Sequence, residues 1–341
     1  MDYLKVKIAG VTLAIILIVA ILTTALPATG LFAATQATGE TIKVRMGMTP
    51  LLHGLPMYLA IEKGYFTEAG IELELTKYEA PNQLIDAVMQ DKLDFTSVGG
   101  PAGIAGIANY KNPGKVMLYN VSGGDLVNPA DFLLLPIDSN ITKISELKGK
   151  KLGILGGSIQ WRVLATELLA QNGLVIDKNV TLIELAAATQ VPTLKAKQID
   201  ALLTLEPMKT IAIKSGAGKV FENGPMEKIL SNPFWPGGGV VSVKFAKENP
   251  NTTRKVLEVL DKAIMEVESD FNGSKKYLKG YTPLDDSTTQ GLTMPVLKTC
   301  NNMTAGDVES LQKFFDLFEK YNIVDGRMDA NAFLYCNRDA S

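Results

Sequence analysis

A β-α-β unit legible between residues 42 and 75 constrains this chain more than any other feature. Ile42, Val44, Met46 and Met48 alternate with Lys43, Arg45 and Gly47 at strand period. Pro56 suits the first turn of a helix, where a missing N–H costs nothing, and Gly64 suits the left-handed residue that ends one. Between them Met57, Ala60 and Ile61 fall at i, i+3 and i+4 and predict one apolar helix face. Ile71, Leu73 and Leu75 then alternate with Glu72 and Glu74 as a second strand. Strands joined through a helix imply an α/β protein whose sheets are covered by helices. In open sheets of this kind ligands bind beyond the carboxyl ends of the strands. The loop from Thr49 to Gly54, which carries His53, the one histidine of the chain, is therefore a candidate cleft wall.

The same plan is written twice. "MQDKLDFTSVGGP" runs from a helix end through a charged turn and a strand to Pro101, and "LKAKQIDALLTLEP" does the same to Pro207. Asp94 and Asp200 each stand seven residues before their proline, and "EAGIELEL" is echoed by "QNGLVIDKNVTLIEL". Two lobes follow, each a mostly parallel sheet flanked by helices, and 341 residues suffice for both cores. "DFLLLPID" (131–138) reads as a strand leaving the first lobe, and "PGGGVVSVKF" (236–245) as one re-entering it after a glycine run. The expected division is residues 36–137 for the first part of lobe 1, 138–235 for lobe 2, and 236–341 for the return strand and C-terminal helices of lobe 1. Val256, Val259, Leu260, Ala263, Ile264 and Val267 form a helical stripe expected to pack on lobe 1.

Composition narrows the compartment and the partners. A net charge of -2 leaves no electrostatic footprint for nucleic acid. Two lysines precede the apolar stretch Ile8 to Leu26, which reads as an export signal or a membrane anchor, with cleavage and retention both open and no cysteine following it for lipid attachment. Residues 1–35 are this segment, and the remainder is expected outside the cytoplasm, as a monomer. Cys300 and Cys336 lack the spacing and neighbours of a metal site, and a disulfide is the better reading. Six Asn-x-Ser/Thr sequons, at Asn120, Asn140, Asn179, Asn251, Asn272 and Asn302, hint at a glycosylated cell surface.

Four segments in order, "LPMYLAIEKGYFTEAGIELEL", "LIDAVMQDKLDFTSVGGPAG", "ISELKGKKLGILGGS" and "KAKQIDALLTLEP", resemble the solute-binding proteins of ABC importers of the nitrate, sulfonate, taurine and thiamine-precursor group. The resemblance covers roughly residues 42–245. It implies a two-lobed periplasmic-binding-protein fold with two crossovers, closing on a small solute and delivering it to a permease and its ATPase. An enzymatic branch that makes the thiamine pyrimidine is similar around "HGLPMYLAIEKGYF", but carries a Lys and a His after the strand that here reads "LDFTSVGG", and a cysteine cluster further on. This chain offers Ser97, Val98, Gly99, Gly100 and Pro101 there, so neither an enzyme nor a cofactor is expected. A cell-surface sensor without transport is the other alternative.

The candidate ligand contacts follow from the strand ends. Thr49 and His53 come from the first loop, and Gly99 and Gly100 allow close backbone approach before the helix that Pro101 opens, whose free N–H groups could receive an anion. In "GGSIQW", Ser158 is placed to cap a helix, with Gln160 and Trp161 in its first turn, where an indole can stack on a planar ligand. Glu206 before Pro207, Asp125 in "VSGGDLVNPAD" and Trp235 beside "PGGGV" complete the set. Arg162 is the one cation in these loops, and the inventory suits a planar or amine-bearing solute, while nitrate or sulfonate would bind through helix N-termini alone.

Overall fold

The computed structural model describes residues 42–336, so the expected signal or anchor over 1–35 lies outside the described residues. Strand β1 (Ile42–Met48) is exposed at its start and buried on both faces at its end, where Gly47 sits against the side chains of Leu84 and Leu93 with no room for a Cβ. The helix Leu55–Glu62 has Pro56 in its first turn, and Gly64 follows its end in the left-handed region at φ +74°. It is not amphipathic: Leu55 to Ala60 are all buried, because the long helix Pro250–Ser269 packs over the side that water would otherwise take.

Strand β2 (Ile71–Lys77) pairs parallel with β1, in register from Ile42 opposite Ile71 to Met48 opposite Lys77. On the other side of β1 lies β3 (Phe95–Thr96), and β4 (Val116–Leu118) belongs to the same sheet. The chain then leaves through β5 (Asn120–Gly124) and builds a second sheet from β6 (Phe132–Pro136), β7 (Lys151–Leu155), β8 (Thr181–Leu185), β9 (Ala201–Thr204) and β10 (Gly218–Asn223). It returns through β11 (Phe234–Gly237), inserts β12 (Val240–Ser242) between β3 and β4, and adds β13 (Val296–Thr299). A small third sheet, in the order β11-β5-β13, carries both crossovers.

The two large sheets share one plan. The first runs β2-β1-β3-β12-β4 and the second β8-β7-β9-β6-β10. In each, three parallel strands meet an antiparallel fourth and the fifth runs with the first three, so the sheets are mostly parallel, as expected, with one reversed strand apiece. The reason is topological: the antiparallel members, β6 and β12, are the strands delivered by the crossovers, and they enter their sheets from the opposite end. For the same reason "DFLLLPID" is not a strand of the first lobe. Its core, β6, lies wholly buried between β9 and β10 of the second sheet.

The repeated aspartates have one shared job. Asp94 accepts the backbone N–H of Arg45, and Asp200 that of Lys151, both at 2.8 Å and both 49 residues on in sequence. Each returns its own N–H to the same partner's carbonyl, at 2.8 and 2.9 Å. Each clamp ties the start of the third parallel strand of its sheet to the first, at the middle of β1 in one sheet and at the start of β7 in the other.

The stripe from Val256 to Val267 is buried as expected. The C-terminal region is not confined to the first lobe, however. The helix Ala305–Lys320, opened by a capping box between Thr304 and Asp307, packs on β11, and Lys320 and Tyr321 both reach Glu167 of the second lobe at 2.6 Å. Cys300 and Cys336 form a disulfide. Of the six sequons, Asn120 is fully buried in β5 and its amide bonds the carbonyls of Val98 and Val121, which excludes a glycan there in the folded protein. No helix among the described residues is long and apolar enough to cross a membrane.

Candidate functional site

The strand ends of both sheets and both crossovers converge on one cavity of about 60 Å³. From the first lobe come Thr49 and His53 after β1, and Gly99, Gly100 and Pro101 after β3. From the second come Leu155 at the end of β7, then Ser158, Gln160 and Trp161 at the start of the helix Ile159–Ala170, and Leu205 after β9. The crossovers contribute Ser122, Asp131, Phe234 and Pro236. Seven of the side chains and backbones expected from the sequence (Thr49, His53, Gly99, Gly100, Ser158, Gln160 and Trp161) thus line the same space.

His53 packs against Gly99 so closely that any Cβ at 99 would collide with it. Burial lowers the His53 pKa to about 4, so the imidazole is neutral at pH 7. Ser158 occupies the N-cap position yet does not cap: its Oγ makes no bond to the helix and, although buried, has no hydrogen-bond partner in the protein. The Oγ of Ser122, on the crossover, is in the same condition. Buried hydroxyls are ordinarily satisfied, so two orphans lining one cavity mark a place built to meet something else.

Gln160 does what Ser158 does not, but for the other lobe. Its Oε1 accepts the N–H of Gly103 at 3.0 Å, within the first turn of the helix Ala102–Lys111. The helix start expected to offer free N–H groups to an anion therefore has one of them satisfied across the cleft. Gly103 is necessary to this contact, since a Cβ there would lie 2.8 Å from Oε1.

Three expected contacts do not line the cavity. Asp125 spends its Oδ1 on the N–H groups of Val127 and Asn128, at 2.8 and 2.7 Å, closing the turn that follows β5. Glu206 lies one residue beyond the lining Leu205 and is buried in its own network: it accepts from Thr210 N and Oγ1 and from Thr293 N, and pairs with Lys209 at 2.5 Å. Trp235 is fully buried on the opposite face of β11 from Phe234 and Pro236, as strand alternation requires. Arg162 points away, toward Asp177 at 2.8 Å and Glu184 at 3.7 Å.

The sequence reading missed Asp131, Ser122 and Gly103. Asp131 is the informative omission. It is buried, and desolvation first, then the neighbouring Glu227 carboxyl, hold its own carboxyl well above the ordinary range; Glu227 is raised by desolvation as well. The available signal was an acid directly before the wholly apolar "FLLLP".

Two lobes on a common strand plan, joined by paired crossovers and closing over a cavity lined by both, define a periplasmic-binding-protein architecture. The NMT1/THI5 like family matches residues 53–270, and the chain belongs to it. It is 25% identical over 295 residues to a putative aliphatic sulfonates-binding protein of Bacillus subtilis (strain 168), with 84% of each chain covered. Its fold is similar to that of the alkanesulfonate-binding protein SsuA from Xanthomonas axonopodis pv. citri bound to MOPS (TM-score 0.70, 19% identity, 87% of this chain and 99% of that one). It is also similar to that of the periplasmic nitrate-binding protein NrtA from Synechocystis PCC 6803 (TM-score 0.65, 15% identity, 86% and 85%). The chain spans less than two thirds of the cyanobacterial nitrate and bicarbonate transport proteins that it also matches.

Proposed function

We propose that this chain is the extracytoplasmic solute-binding subunit of an ABC importer. It is exported or anchored through residues 1–35, acts as a monomer, and presents a small solute to a membrane permease driven by an ATPase subunit. The observation that carries the reading is the Gln160 to Gly103 hydrogen bond, by which a side chain of the second lobe satisfies a helix start of the first beside a cavity that both lobes line. A solute held there contacts both lobes only when they are together, and that differential contact is what biases a hinge equilibrium toward closure. Thr49, His53, Gly99, Gly100, Ser158, Gln160 and Trp161 are the proposed contacts, with Ser122 and Asp131 added. The sulfonate- and nitrate-binding relatives support a small polar solute and the transport role. Relatives and structural neighbours described as binding proteins support binding over catalysis.

The test is native mass spectrometry of the full chain for a copurified small molecule, followed by a thermal-shift screen of sulfonates, nitrate, taurine and pyrimidines. A solute at 100 times its Kd stabilises by about 2.7 kcal/mol, and Trp161→Ala should reduce that shift while leaving circular dichroism unchanged. A chain that carries no small molecule and gains no stability from any compound or metabolite extract would sink the proposal.

A further inference from the structure

We infer that the solute of this cleft carries an ammonium or other N–H donor group, received at the crossover end by Asp131 with Glu227 behind it. The inference rests on the solute-binding reading of the cavity and names the chemistry that separates this chain from relatives described by the anions they bind.

Charge is the first observation. No lysine or arginine is among the residues that line the cavity, and the one histidine there is neutral. Arg162, next in sequence to the lining Trp161, is committed to Asp177, Lys209 is committed to Glu206, and Lys298 to Asp307 at 2.7 Å. A plain oxyanion would enter with no counter-charge.

The carboxyl pair is the second. Asp131 is 1% exposed and Glu227 3%. The N–H of Met226 donates to Asp131 Oδ2 at 3.3 Å, and that of Ala130 to Glu227 Oε1 at 2.7 Å. Asp131 Oδ1 and Glu227 Oε2 are buried and have no hydrogen-bond partner in the protein. Two neighbouring buried carboxyls do not both ionise, so the pair carries at most one negative charge together with two unsatisfied acceptor atoms. Glu222 and Asp125 add to the negative potential there. A buried, acceptor-rich charge of this kind is stabilised by a donor that brings positive charge, and a solute is the group positioned to bring it.

The opposite end of the cavity differs. There the start of the helix Ile159–Ala170 and the orphan Oγ of Ser158 can serve an acceptor on the solute. A helix end contributes about half a charge, too little to offset a full carboxylate for a ligand that is only anionic. A solute with a donor at one end and an acceptor at the other suits both ends.

Calorimetry on the full chain with propanesulfonate, aminopropanesulfonate and propylamine tests this with molecules matched in length. Aminopropanesulfonate should bind at least about tenfold more tightly than propanesulfonate, as expected for a hydrogen bond between charged groups. Asp131→Asn should abolish the preference and Glu227→Gln should diminish it. Propanesulfonate binding as tightly as its amino counterpart in the wild-type protein would overturn the inference, whatever the variants do. A preference that survives in well-folded Asp131→Asn would overturn it equally. Binding of propanesulfonate alone would leave the solute-binding reading standing. Failure of all three compounds would overturn the inference, and native mass spectrometry of the same sample would show whether the broader reading falls with it.

Discussion

Acidification isolates the energetic role of His53. Its pKa falls from 6.5 in the open chain to about 4 in the fold because burial penalises the imidazolium. Below pH 6.5 the unfolded chain takes up a proton that the folded one refuses, so stability is fully present above that value and is lost progressively toward pH 4. The displacement multiplied by 1.36 kcal/mol per pH unit gives a loss of about 3 kcal/mol over the window. Buried carboxyls act in the opposite sense. Asp131 and Glu227 have raised pKa values, and burial lifts Asp261 to about 6, so each favours the fold as pH falls. The measurement must therefore be a difference. Urea unfolding of wild type and His53→Gln between about pH 7.5 and about pH 4 cancels the shared carboxyl contributions, and the stability of wild type relative to the variant should fall by about 3 kcal/mol. Parallel pH profiles would show that the ring takes up its proton freely in the folded protein, and with it that the first cleft wall is open to water.

Three further outcomes follow from the packing. Gly103→Ala would place a methyl 2.6 Å from Phe318 Cζ and 2.8 Å from Gln160 Oε1, costing about 1–3 kcal/mol in urea unfolding. Adding Gln160→Ala should recover part of that loss, and strictly additive effects would remove the bridge from the account. Glu206→Gln leaves Lys209 buried without its counter-charge and should destabilise by about 3–5 kcal/mol with solute affinity unchanged in the folded fraction; lost affinity at full stability would return Glu206 to the cleft. Reducing the Cys300–Cys336 bond, which closes a loop of 36 residues in sequence separation, should cost about 4 kcal/mol, and equal urea midpoints with and without reductant would contradict this.

What was legible in the sequence was local. Strand period, Pro56 and Gly64 define the first β-α-β unit within one stretch of chain, and the paired Asp94 and Asp200 announce a duplicated plan because each clamps a backbone N–H of its own lobe. Loops at strand ends inherit that legibility, which is why Thr49, His53, Gly99, Ser158 and Trp161 could be assigned to one cavity before any contact was known.

The crossover residues were decided only by tertiary structure. Side chains on a strand alternate between faces, so a phase error of one residue exchanges the cavity for the core. β11 takes its phase from its pairing with β5, a strand more than 100 residues away, and that pairing turns Phe234 and Pro236 to the cavity and Trp235 into the core on the other face. Leu205 and Glu206 divide in the same way, with the carboxylate drawn into the network of Lys209, Thr210 and Thr293. Asp131 gained its place because β6 joins the second sheet and sets its N-terminal end beside Glu227, from which it is separated by nearly 100 residues. Sequence period determined which elements form; the partner of each crossover strand determined which of their side chains meet in the cleft, because a strand's phase is set across the sheet and not along the chain.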